Sequence, residues 1–142
     1  MLEPRVSLVT LGVRNLERSV SFYRDVLGWT TGYAEGDSVA FFGLNGLVLG
    51  LYGHTDLAKD AQVSPRRRGF RGVTLAHNVR SRRAVDHVFA TVRKRGGKIV
   101  KPPKVADWGG YSGYFSDPDG HLWEVAYNPG WKLDRKGTVV LP

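Results

Sequence analysis

The sequence contains no cysteine. Disulfides and thiolate-held zinc or iron–sulfur centres are therefore excluded, and any transition metal would depend on His, Asp, Glu or water. Long hydrophobic runs are also missing: nothing reaches the roughly 18 apolar residues that a membrane helix requires. The opening MLEPRVSL carries no basic segment followed by an apolar core, so a cytoplasmic protein with no membrane partner is expected. Acidic residues are in short supply, 13 Asp and Glu against 21 Lys and Arg, and the net charge is +8. Such an excess raises the question of nucleic acid, because clustered Arg and Lys displace counterions from phosphates. The clustering is only partial. Arg66, Arg67, Arg68 and Arg71 lie in a polar connector, while Arg80, Arg82, Arg83, Arg93, Lys94 and Arg95 flank or sit on one predicted helix. With neither a zinc-finger spacing nor an aromatic–basic stacking motif, these charges read as solvated faces, and nucleic acid is not an expected partner. A chain of 142 residues has the size of one domain and needs no covalent staple.

Within that length the same plan occurs twice. Val6 to Val13 is β-rich and runs into Asn15, a good N-cap, after which Leu16, Val20, Tyr23 and Leu27 form a helical stripe that stops at Gly28. Strands are expected around 29–33, 38–44 and 47–52, with turns at Gly36-Asp37 and Asn45-Gly46, the latter a strong hairpin signal. The first module is thus β-α-β-β-β over about residues 5–53. After a polar connector, 54–71, the second module spans about 72–129. It has a strand over 72–79, an N-cap at Ser81, a stripe at Val85, Val88, Phe89 and Val92, and a stop at Gly96-Gly97. Strands follow at 98–100, 111–116 and 121–127, the last two joined by the turn Asp117-Pro118-Asp119-Gly120. Val9-Thr10-Leu11 recurs as Val73-Thr74-Leu75, and Val20, Tyr23 and Leu27 recur as Val85, Val88 and Val92, which points to internal duplication. A tail occupies 130–142.

The segments LGVRNLERSVSFYRDVLGW (Leu11 to Trp29) and GGYSGYFSDPDGHLWEVAYNP (Gly109 to Pro129) resemble the first helix and last hairpin of the vicinal oxygen chelate superfamily, which includes glyoxalase I, bleomycin-resistance proteins and extradiol dioxygenases. The DPDG-x-x-x-E arrangement is the most specific element. The resemblance implies an α+β fold in which two tandem β-α-β-β-β modules form a curved mixed sheet around a cleft, commonly as a homodimer. It fixes no reaction, because the superfamily hosts lyases, isomerases, dioxygenases and non-catalytic drug binders.

Metal-dependent members hold one divalent ion with four side chains, usually His or Gln, Glu, His and Glu. The resemblance places Leu8, Gly50, Thr74 and Glu124 at those positions, so only the last retains a metal-binding side chain. Such an ion typically needs about three protein ligands, and no metal or other cofactor is expected here. Strand alternation turns His77, three residues from Thr74, and His121, three from Glu124, to the other face of the sheet. His87 falls on the second helix, exposed. His54 alone has the parity of Gly50 and is a marginal partner for Glu124.

The cleft is expected to be lined by Leu8, Thr10, Gly12, Gly50, Tyr52, Thr74, Ala76 and Asn78, a largely apolar surface with a few orienting polar groups, as suits a small organic ligand. Trp108, Tyr111 and Tyr114 lie in or beside the glycine-rich WGGYSGY and are candidate ligand contacts, whereas Trp123 has the parity of the core. Glu124 is the candidate catalytic group, since apolar surroundings favour the protonated form of a carboxylate and fit it to exchange a proton. The leading expectation is a metal-independent ligand-binding protein. The alternative is a lyase, isomerase or dioxygenase-like enzyme of the same superfamily that uses Glu124, with or without a non-standard metal site.

Overall fold

The structure, a computed structural model, describes residue 4 and residues 6–66, 68–71 and 73–141. The chain divides into two compact units, Met1–Gly69 and Phe70–Pro142.

In the first unit, β1 (Leu8–Val13) pairs in parallel with β3 (Val48–Gly53), which pairs antiparallel with β2 (Val39–Gly43), giving the order β1-β3-β2. Alternation along these strands sends Leu11, Val13, Ala40, Phe42, Leu49 and Leu51 inward, all buried. Helix α1 (Leu16–Ser21) covers them. Its N-cap is as the sequence indicates, with Asn15 Oδ1 accepting from the Arg18 amide at 2.9 Å. The expected single helix changes pitch partway, continuing as a π-helical stretch over Phe22–Val26 that buries the adjacent Phe22 and Tyr23 together. The β2–β3 turn follows the Asn-Gly signal: Gly46 takes φ +86°, a region closed to most side chains, and the Leu44 amide donates to the Leu47 carbonyl at 2.8 Å.

Two expectations for this unit are corrected. No strand forms over 29–33. Side chains hold that segment instead, because the Trp29 ring stacks on Tyr23 and meets Phe42, while the Thr31 hydroxyl donates to the Phe41 carbonyl at 2.7 Å. The connector is not wholly irregular either, since it opens with α2 (His54–Asp60), a short helix that buries only Ala58.

In the second unit the sheet order is β4-β7-β6-β5, from β4 (Leu75–Asn78), β5 (Lys98–Val105), β6 (Tyr111–Ser116) and β7 (Leu122–Tyr127). Again one pair, β4 with β7, is parallel and the others antiparallel. Helix α3 (Arg82–Lys94), capped by Ser81 Oγ on the Ala84 amide at 3.1 Å, buries Val85, Phe89 and Val92 against Phe115, Trp123 and Val125. Trp123 is core, as its parity indicates, and stacks on Phe115. The β6–β7 turn is built by Asp117, whose buried carboxylate accepts the amides of Asp119 and His121 at 2.9 and 2.8 Å. The family-like DPDG segment therefore serves to hold this hairpin.

Strand β5 runs five residues past its expected end, through Pro102-Pro103. It is an edge strand, where a missing N–H breaks no ladder, and its pairing with β6 shifts register between Ile99 and Lys101 and again between Lys101 and Lys104. These bulges press the β5 backbone onto Gly113. A Cβ there would lie 2.6 Å from the Lys101 carbonyl oxygen and 2.8 Å from the Phe89 ring, so only glycine fits.

The tail folds back within its own unit: β9 (Val139–Val140) pairs antiparallel with β8 (Lys132–Leu133). The Arg80 guanidinium donates to the carbonyls of Leu133 and Asp134 and so is bound to this hairpin. Among the described residues no helix is long and apolar enough to cross a membrane.

Candidate functional site

Each sheet has one face under its helix and one turned away from it. On the first sheet the far face carries Leu8, Thr10, Phe41 and Tyr52, with Leu8 48% and Phe41 50% exposed. Thr10, Gly50 and Phe41 stand in one cross-strand row. A Cβ on Gly50 would lie 3.0 Å from Thr10 Oγ1 and 3.5 Å from the Phe41 ring. The position that carries a carboxylate ligand in metal-dependent proteins thus has neither a donor nor ready room for one here, and Leu8 supplies no donor. The residues present do not fit a divalent ion. Among the described residues, no group of three or more His, Asp or Glu side chains is arranged to hold one.

His54 begins α2, its Nδ1 lying 2.8 Å from where a Gly12 Cβ would be, and its Nε2 hydrogen-bonds the Pro65 carbonyl at 2.7 Å. It is engaged with its own connector. A recess of about 370 Å³ beside it is lined by Val13, Arg14, Gly53, His54, Thr55 and Asp56, and contains none of the residues read as ligand-binding from the sequence.

On the second sheet the equivalent row is Ala76, Glu124 and Tyr114. Flanking it on the same face are Ser112 and Ser116 on β6, Leu122 and Ala126 on β7, Asn78 on β4 and Thr74 just before β4. Glu124 and Tyr114 are half-buried. Tyr114 stands directly opposite Glu124, and both Glu124 and Thr74 act on its hydroxyl. Burial, then the charge of Glu124, push the Tyr114 hydroxyl above the ordinary tyrosine range, against the opposing effect of Thr74. A carboxylate, a phenol and a secondary alcohol thus share one spot, able to accept and donate hydrogen bonds and to pass a proton.

Not every expected residue is brought together. Tyr111 and Tyr114 are three apart in one strand and point to opposite faces. The Tyr111 hydroxyl donates to Asp86 Oδ1 at 2.7 Å and Arg82 lies over its ring, both partners on α3, so Tyr111 belongs to the helix side. That bond is the first cause raising its pKa. Trp108 stands at the tip of the β5–β6 turn, 53% exposed, with its ring folded over Gly110, where a Cβ would collide at 1.7 Å. His77 lies on the helix side, opposite Val125, and desolvation lowers its pKa. His87 is exposed on α3. Sequence reasoning missed Lys101, which stands directly opposite Tyr114. The available signal was Pro102-Pro103, since prolines inside a strand mark an irregular ladder.

Comparison with known proteins places this architecture. Residues 5–125 match the Glyoxalase/Bleomycin resistance protein/Dioxygenase superfamily. A glyoxalase-related enzyme from Fulvimarina pelagi is similar over 98% of this chain and 99% of its own, with 34% identity and a TM-score of 0.86. A glyoxalase/bleomycin resistance protein/dioxygenase from Nocardioides is similar over 94% and 92%, at 26% identity and a TM-score of 0.75. A lactoylglutathione lyase from Agrobacterium tumefaciens shares the fold over 94% and 100%, at 21% identity and a TM-score of 0.72. With its paired modules, each built around a parallel β-strand pair and a packed helix, the chain belongs to the Glyoxalase/Bleomycin resistance protein/Dioxygenase superfamily.

Proposed function

We propose that this chain binds a small organic ligand on the far face of its second sheet, without a resident metal, and works as a cytoplasmic homodimer. Glu124, Tyr114, Thr74 and Asn78 meet the polar part of the ligand, and the exposed ring of Trp108 offers it a stacking surface. Taken by itself, the far face of the first sheet offers Leu8, Thr10 and Tyr52, apolar and hydroxyl groups of the kind that contact small ligands. The observation that supports this reading is the row in which Tyr114 stands directly opposite Glu124, with Thr74 on the same face of the sheet. That placement organises a polar group for recognition at a position where the donor set for an ion is gone.

The same pairing favours a second reading, proton transfer by Glu124 to or from a bound substrate, which accords with the enzymatic character of the Fulvimarina pelagi protein. Two measurements test the proposal. Elemental analysis should find no stoichiometric zinc, nickel or iron, and an activity lost on chelation and restored by metal would overturn the metal-free reading. A fluorescence screen of small metabolites should find a quencher whose affinity falls by about 1–3 kcal/mol on Trp108→Ala, the effect of removing a central aromatic contact. Glu124→Gln that preserves binding and abolishes turnover would establish the enzyme in place of the binder.

A further inference from the structure

Strand β5 carries lysines at 98, 101 and 104. In a regular strand a spacing of three would put successive lysines on opposite faces. Here the two bulges each absorb one residue, and the register sets Lys98 opposite Ser116, Lys101 opposite Tyr114 and Lys104 opposite Ser112. Ser116, Tyr114 and Ser112 alternate along β6 and share the face of Glu124, so all three lysines belong to that face too. Each lysine is exposed, and among the described residues none of the three ammonium groups has a carboxylate partner. Gly113 is what admits this geometry, because any larger residue would collide with the bulged backbone.

From this array we infer that the ligand of the second sheet is a small organic anion, a phosphate or carboxylate that also bears a hydrogen-bond donor. Its charged group is held by Lys101 and Lys104, and its donor end reaches Glu124 across Tyr114. The inference deepens the reading given above and rests on it. Strand spacing sets the scale: Lys101 and Glu124 are two strands apart, about 10 Å between backbones, a gap that a lysine side chain and a molecule of a few heavy atoms fill. The fixed negative charge of Glu124 in the same row tells against an extended polyanion such as nucleic acid lying along the lysines, since its phosphates would be driven onto a carboxylate.

The test is a backbone-amide NMR titration of the full chain with matched pairs, each anion beside its neutral counterpart: glycerol 3-phosphate and glycerol, lactate and lactamide, 4-hydroxybenzoate and 4-hydroxybenzamide. At least one anion is expected to shift the amides of 101, 104, 114 and 124 while its neutral counterpart does not. Lys101→Gln with Lys104→Gln should weaken that anion about tenfold or more, the worth of one charge-assisted contact. Arg93→Gln with Lys94→Gln, an equal loss of charge on α3, should change it less than about twofold. Equal weakening by both pairs, or no response to any anion, overturns the inference. Neutral members that bind as well as the anions overturn it too, yet leave the proposed ligand site standing. Binding of a single-stranded oligonucleotide in the absence of any small-anion binding would reassign the lysines to nucleic acid.

Discussion

On the first sheet, the face away from the helix carries Leu8, Thr10 and Phe41 around Gly50; on the second, Thr74, Glu124 and Tyr114 occupy the matching rows, with lysines beyond them. The helix-side faces of both sheets are alike in kind, Leu49 and Leu51 in one, Trp123 and Val125 in the other, all buried. The difference in polarity lies on the side that no helix covers. Packing against a helix restricts a position to apolar residues of suitable volume. The uncovered face is free of that demand, so two modules of one plan can carry an apolar surface and a polar one without change to the strands beneath.

The strongest way to break this comparison is at Gly113, whose counterpart in the first sheet by register is Ala40. A methyl group is native at Ala40, whereas Gly113→Ala must force the β5 backbone away and should cost about 3 kcal/mol in chemical denaturation. An unchanged midpoint would show that the bulged strand yields freely. Next in size is Gly50→Ala, which should cost about 1 kcal/mol through its approach to Thr10 and lose most of that cost in a Thr10→Ala background. If the two changes prove additive, the contact is not what limits side-chain size at that row.

A smaller effect sharpens the polar side. Because the folded pKa of Tyr114 lies above its unfolded value, the stability tied to its neutral hydroxyl is fully present below pH about 10 and is lost as pH rises through the folded pKa. Spectrophotometric titration, with Tyr114→Phe as the blank, should show late ionisation, and Glu124→Gln should move it down towards the ordinary value while leaving the part due to burial. No movement would mean that Glu124 does not act on the phenol. The smallest expected change is Arg80→Ala, which should raise hydrogen exchange at Val139 and Val140 by releasing the β8–β9 hairpin, with the global unfolding midpoint within about 0.5 kcal/mol of the parent. Unaltered exchange would show that the hairpin stands without its arginine.

Where local chemistry decides a feature, the sequence made it legible. Asn15 and Ser81 cap helices and Asn45-Gly46 makes a hairpin, because each acts through its own backbone neighbours. Strand parity likewise placed Glu124 and Thr74 with the uncovered face and His77 and Trp123 with the helix side. The same parity, applied within WGGYSGY, separates Tyr111 from Tyr114; grouping them as one aromatic segment obscured it. What the sequence concealed depends on partners distant along the chain. The segment 29–33 has β-prone residues but finds side chains rather than a ladder, and the lysine alignment depends on two bulges that only the pairing with β6 reveals.

Those bulges, and the two prolines within the second of them, bear on aggregation as well. An unpaired sheet edge is a template on which another chain can lay a strand, and irregular pairing, proline and exposed lysine each spoil that template. The outer edge of β5 has all three. Continuation of the second sheet from β5 of one copy into β5 of another is therefore disfavoured.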